Sequence, residues 1–256
     1  MEEVLERTVE DGIATLVLNR PRQYNALSRA LLDALHAEVD ALARDETVRV
    51  VIITGAGRAF CAGHDLKEMR AASARDVESL FMSCSAMMQK LIELPQPVIA
   101  AVNGIATAAG CQLVAQCDLA VASEEARFAV SGVNLGLFCS TPAVALSRNV
   151  GRKRAAEMLF TGEFIGAETA LEWGLVNRVE KAALLMESTR DYANTLKARP
   201  RASLASGKAL FYRQLEAGMR AAYEEASRAI ASDMVAEEAR EGVDAFLSKR
   251  PPSWKA

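Results

Sequence analysis

Two short segments of this chain carry the residue types that acyl chemistry needs. Phe60-Cys61-Ala62-Gly63-His64-Asp65-Leu66 is the first, and Val102-Asn103-Gly104 running into Ala108-Ala109-Gly110-Cys111-Gln112 is the second. Each follows an apolar run and then turns through small residues, where a backbone N–H can approach a ligand closely. Two such N–H groups converging on one point form an oxyanion hole, which stabilises the negative oxygen that develops when a carbonyl reacts. The second segment also enters a helix. The first N–H groups of a helix lack internal partners, and its dipole favours negative charge.

The elements that must position these segments are legible around them. Residues 13–18 and 50–54 read as strands, the first ended by Asn19-Arg20-Pro21 and the second by the turn Gly55-Ala56-Gly57. Between them a helix opens at Ser28 as N-cap, with Leu31, Leu32, Leu35, Val39 and Leu42 on one face. A long helix over 76–94 carries Val77, Leu80, Phe81, Cys84, Met87, Met88, Leu91 and Ile92 at helical spacing. Pro95 and Pro97 end it and launch the strand before Asn103-Gly104. Residues 119–122 form another buried strand. From Arg152 onward the pattern turns helical, over 154–160, 167–173 and a last stretch after Pro200 with Leu204, Leu210, Phe211 and Leu215. This divides the chain into an α/β core over 1–195 and a helical region over 196–256.

Composition narrows the function. The chain has 256 residues, 51% of them hydrophobic, enough to bury a large core. A net charge of -3, from 30 basic and 33 acidic residues, gives no electrostatic case for nucleic acid or an anionic membrane. No apolar run approaches the ~20 residues of a membrane span. Met1-Glu2-Glu3 is wrong for a signal or transit peptide. Five cysteines without a C-x-x-C, and only His36 and His64 as imidazoles, argue against zinc, so no metal is expected. The expectation is a reduced, cytoplasmic protein, or one of the mitochondrial matrix if eukaryotic with a presequence outside this sequence. Gly55-Ala56-Gly57 invites a dinucleotide fingerprint, but the sixth position is Phe60, where glycine or alanine is needed.

The pair of segments and their order resemble the crotonase superfamily, the enoyl-CoA hydratase/isomerase family, from Leu16-Val17-Leu18-Asn19-Arg20-Pro21 through Lys249-Arg250-Pro251. The runs Ala109-Gly110-Cys111-Gln112-Leu113-Val114 and Gly136-Leu137-Phe138-Cys139-Ser140-Thr141-Pro142 resemble one mitochondrial subgroup of it most. The resemblance implies a spiral of strand-strand-helix turns, with C-terminal helices that pack trimers or dimers of trimers. It implies an acyl-CoA thioester as substrate, and no cofactor beyond the coenzyme A that the substrate carries. The hole donors would be the N–H groups of His64 and Ala109. Ala62, His64, Asp65, Leu66 and Gly110 would hold the coenzyme A moiety, and Lys249 would reach a CoA phosphate.

One departure stands out. Gln112 and Gly132 occupy the positions where hydratases of the family carry catalytic glutamates, and a third acidic position falls near Ser140. Each missing acid or base should cost about 10²–10⁴ in rate for chemistry that needs it. The family default is hydration or isomerisation. Decarboxylation, thioester hydrolysis, or acyl-CoA binding without catalysis are the alternatives. His64 reads either as a solvent-facing side chain at the pocket rim or as a proton donor or ligand to an acyl carboxylate. Cys139-Ser140-Thr141 reads as pocket lining before nucleophile. Met82, Met87 and Met88 suit an acyl channel or core packing, His36 a helix flank, and Asp118 a turn cap.

Overall fold

Strand and helix alternate from the start of the chain. The computed structural model describes residues 3–254. In it β1 (Leu5–Glu10) pairs antiparallel with β2 (Ile13–Leu18). In α1 (Arg29–Leu42) the Ser28 hydroxyl accepts from the Leu31 N–H, and Leu31, Leu32, Leu35, Val39 and Leu42 form the buried face. That is the face the 3.6-residue spacing predicts.

Three strand-strand-helix turns follow. The first is β3 (Val50–Gly55), β4 (Ala59–Cys61), α2 (Leu66–Ala71) and α3 (Ala74–Glu93). The second is β5 (Val98–Val102), β6 (Ile105–Thr107) and α4 (Ala109–Gln116), and the third is β7 (Leu119–Ser123), β8 (Arg127–Ala129) and α5 (Ser140–Asn149). The chain continues through α6 (Arg152–Thr161), β9 (Ile165–Gly166), α7 (Ala167–Glu172), β10 (Arg178–Glu180) and α8 (Leu185–Lys197). It then runs through α9 (Arg201–Leu215), α10 (Met219–Met234) and α11 (Glu237–Leu247).

In every turn the first strand joins one sheet and the second joins another. The larger sheet runs β1-β2-β3-β5-β7-β10, the smaller β4-β6-β8-β9. This is the spiral the resemblance implies. β3 is buried on both faces: Val51 and Ile53 face the main core, while Val50 and Ile52 pack with Ile99, Ala101, Val121 and α8. A strand covered on both sides reads as an unbroken apolar run. Met87 and Met88 of α3 are core residues, whereas Met82 is 67% exposed.

The smaller sheet sets up the chemistry. β4, β6 and β8 are parallel neighbours, with Cys61 opposite Ala106 and Thr107 opposite Ala129. Parallel neighbours release the chain at the same sheet edge. The segments that begin at Ala62, Ala108 and Val130 therefore emerge side by side, although 24 positions separate Thr107 and Ser131, whose hydroxyls meet there.

α9 is fixed to the opposite end of the larger sheet, where β5 and β7 begin. Asp118 accepts from the Val98 N–H at 2.7 Å, from Lys208 Nζ at 2.6 Å and from the Tyr212 hydroxyl at 2.7 Å. Lys208 also donates to the Leu91 and Gln96 carbonyls. Burial pushes the Lys208 ammonium below its ordinary pKa while Asp118 opposes the shift, and burial pushes the Tyr212 hydroxyl up. Asp118 is thus more than the turn cap its sequence context suggests. Lys208→Ala should lower stability by about 3–5 kcal/mol, because it leaves a buried carboxylate without its cation. A urea midpoint within error of the native chain's would contradict this. The other faces of α9 and α10 bury nothing, and Phe211, Leu215, Met219, Tyr223 and Ile230 are exposed.

Candidate functional site

The first segment turns at Gly63, whose φ of +88° suits glycine and strains any other residue. The turn is tied down on both sides: Leu27 N–H donates to the Gly63 carbonyl at 2.7 Å, and Asp65 N–H to the Leu27 carbonyl at 3.2 Å. Asp65 caps α2 by accepting from the Lys67 and Glu68 N–H groups, and its other oxygen accepts from Arg20 at 2.9 Å. Burial pushes the Asp65 carboxyl up, but the Arg20 guanidinium and the two α2 N–H groups outweigh it and hold it below 3.8. The turn cap and the candidate site are the same structure.

The second segment turns at Ala108, which adopts φ 50° and ψ -120° although it has a side chain. Such a conformation costs about 1–3 kcal/mol and persists only where surroundings enforce it. Here Ala108 N–H donates to the Ala129 carbonyl of β8 at 2.9 Å. α4 then begins at Ala109. A side chain at Gly110 would collide with the Cys61 carbonyl, so only glycine lets α4 press against the exit of β4. A Cβ at Gly63 would lie 2.9 Å from the Ala108 Cβ and 3.3 Å from the Ala109 nitrogen. The two turns are in van der Waals contact. Among the described residues, neither His64 N–H nor Ala109 N–H donates to a backbone acceptor outside helices and strands.

Side chains around this pair are mostly neutral. Gln112, one turn into α4, is 5% exposed, and its Oε1 has no partner. Gly132 sits in a 3-10 turn, Ser131–Leu135, and its N–H donates to Cys139 Sγ at 3.2 Å. Its φ is not in the left-handed region, so backbone conformation does not demand glycine there. Crowding does: a Cβ at 132 would meet Cys139 Sγ and the Leu137 carbonyl, each at 2.7 Å. The Cys139 thiol fills the volume a side chain at 132 would take. Burial raises its pKa against the opposing Gly132 N–H, and burial pushes the Cys61 thiol up to about 12. Neutral buried thiols of this kind are poor nucleophiles.

The His64 ring is not a rim group facing solvent. Both its nitrogens are buried without a hydrogen-bond partner, and the ring stands edge-on to Phe81, centroids 4.8 Å apart at 75°. Burial pulls its pKa below 6.5; the Leu27 backbone pulls the other way without a bond of ordinary geometry. Folded chain thus keeps His64 neutral where unfolded chain takes up a proton, so stability should fall as pH drops below 6.5. Denaturant midpoints measured between pH 7 and 5 should show a shallower acid slope for His64→Phe; an identical slope would contradict this.

The structure brings together Ala62, Gly63, His64, Asp65, Ala109 and Gly110, with Gln112 one helical turn beyond. Gly132 and Cys139 meet at the neighbouring exit. Ser140 opens α5, and its hydroxyl reaches only the Phe138 carbonyl at 3.4 Å. Leu66 is 53% exposed, and Lys249 follows α11 at the surface, its N–H donating to the Phe246 carbonyl. Sequence reading overlooked Thr107 and Ser131, whose hydroxyls bond at 3.1 Å and join the exits of β6 and β8. Ser131 directly precedes Gly132 and Thr107 stands two residues before Ala109, which was the available signal. His36 bonds Ser83 through Nε2. No metal-holding cluster of His, Cys, Asp or Glu exists among the described residues.

A two-sheet spiral whose turns touch at the exits of parallel strands is the architecture of a crotonase fold. The chain belongs to the enoyl-CoA hydratase/isomerase family, whose model matches residues 8–256. It is an acyl-CoA-processing enzyme of that family. Over 246 residues it is 48% identical to the mitochondrial enoyl-CoA hydratase domain-containing protein 3 of Mus musculus, covering 96% of this chain and 82% of that protein. The crystal structure of an enoyl-CoA hydratase from Mycobacterium smegmatis matches with a TM-score of 0.97 at 56% identity, covering 99% of each chain. That of human enoyl-CoA hydratase domain-containing protein 3 matches with a TM-score of 0.95 at 45% identity, covering 98% of this chain and 100% of that one.

Proposed function

We propose that the chain binds an acyl-CoA thioester with its carbonyl oxygen between the N–H groups of His64 and Ala109, which stabilise the enolate or oxyanion formed in the reaction. The observation that carries this reading is the contact of the two turns, where a Cβ at Gly63 would lie 3.3 Å from the Ala109 nitrogen, while among the described residues the His64 and Ala109 N–H groups have no backbone acceptor outside helices and strands. Both belong to a rigid frame, so no reorganisation is needed as charge develops. The α4 dipole adds to the effect. Ala62, Asp65, Leu66 and Gly110 shape the turn that receives the coenzyme A moiety, and Lys249 pairs with a CoA phosphate.

The reaction is not two-carboxylate hydration. Gln112 can orient water or bond a substrate, but an amide takes no proton at neutral pH. Gly132 and Ser140 supply no acid. The remaining groups suit chemistry that uses the hole without a carboxylate base, such as decarboxylation or thioester hydrolysis. Binding of an acyl-CoA labelled with carbon-13 at the thioester carbonyl tests the core of the proposal. A downfield shift of that carbonyl on binding is expected. A bound ligand with an unshifted carbonyl would refute the hole.

Assembly follows from the apolar residues left exposed on α9 and α10 and from Val243, Phe246 and Leu247 of α11. Exposed apolar area of this extent marks an interface, and a trimer or dimer of trimers is the form proposed. Sedimentation velocity should show it at micromolar concentration, and a stable monomer would contradict it.

A further inference from the structure

His64 is the one imidazole among the described residues with both nitrogens buried and neither bonded. Leaving a buried polar group unsatisfied is destabilising, and an apolar ring packed on Phe81 would avoid it. A ligand that supplies the missing partner removes that penalty. We infer that His64 determines acyl specificity: its imidazole turns away from Phe81 to take an ionised carboxylate carried on the acyl group of the bound thioester. This rests on the acyl-CoA reading above.

Placement supports the inference. The ring nitrogen Nδ1 is four covalent bonds from the amide of the same residue, one of the two proposed hole donors. Any rotamer that leaves Phe81 therefore stays close to the thioester. Asp65, the sequence neighbour of His64, is engaged by Arg20 and by the N–H groups of α2. Around the candidate site Gln112, Gly132, Cys139 and Ser140 offer an amide, a bare backbone, a thiol and a hydroxyl. An anionic acyl group would meet no like charge from these, and it would face the positive end of α4. A carboxylate suits that field better than a hydroxyl, because its bond to an imidazole is charge-assisted.

Isothermal titration with length-matched pairs tests this: propionyl- and malonyl-CoA, butyryl- and succinyl-CoA, valeryl- and glutaryl-CoA. In at least one pair the dicarboxylic member should bind about tenfold more tightly or better, as a charge-assisted bond allows. In His64→Phe that ratio should collapse towards one while the thermal midpoint stays level or rises. In His64→Gln, which keeps a donor, part of the ratio should survive. Imidazole C–H signals give a second readout, because the chain has two histidines and His36 is bonded to Ser83. The His64 signals should move with the dicarboxylic ligand and stay with its uncharged partner. A ratio near one in every pair, a ratio that survives in His64→Phe, or unmoved His64 signals would each overturn the inference. If His64→Phe does not fold, the signals of the native chain decide. Failure of every thioester to bind would instead remove the acyl-CoA reading itself.

Discussion

Ala109→Pro should lower turnover of any acyl-CoA the protein processes by about 10²–10³, the loss expected when one oxyanion donor is deleted. It should also abolish most of the downfield carbonyl shift. Ala109 is the first residue of α4, where proline breaks no helical hydrogen bond. The strain lies one residue earlier. Ala108 has ψ -120°, outside the extended range that a following proline prefers. Thermal unfolding must therefore accompany the kinetics. A folded variant with native turnover and an unchanged carbonyl shift would show that the second donor is elsewhere.

Hydration of a short enoyl-CoA should be poor in the native chain, and restoring it should take three substitutions. Gln112→Glu returns one carboxylate, and Gly132→Glu returns the other, each worth about 10²–10⁴ where the chemistry needs it. The obstacle at 132 is not backbone conformation, because φ there lies outside the left-handed region. The structure places it in the volume above the α-carbon instead, where Cys139 Sγ and the Leu137 carbonyl each lie 2.7 Å from a Cβ. The double variant should therefore hydrate little better than Gln112→Glu alone and unfold at a lower temperature. Adding Cys139→Gly removes the thiol and should raise the rate further, leaving only the Leu137 carbonyl to yield. Efficient hydration by the unmodified chain, insensitive to Gln112, would mean another group moves the proton.

Local patterns were legible where one element decides them. The buried face of α1, its Ser28 cap and the doubly covered β3 follow from spacing alone. The site segments were legible because glycine and alanine between apolar runs have few other uses. What escaped the sequence are contacts made in three dimensions. Strands of two or three residues, such as β8 and β9, carry too little periodicity to declare themselves. Asp118 meets Lys208 and Tyr212 across 90 and 94 positions, and no local rule pairs them. The direction of the His64 ring depends on Phe81, which reads simply as a core residue of α3. Ala108 in a left-handed turn contradicts propensity, and only packing from β8 and Gly63 explains it.

The tie between α9 and the sheet also orders events during synthesis. Lys208 reaches Leu91, Gln96 and Asp118, which precede it by 117, 112 and 90 positions. On the ribosome these acceptors emerge well ahead of their cation. Until α9 arrives, the carboxylate and the two carbonyls keep their water, and the entrances to β5 and β7 stay wet. The arrival of α9, and not closure of the strands, is the moment at which that junction dries.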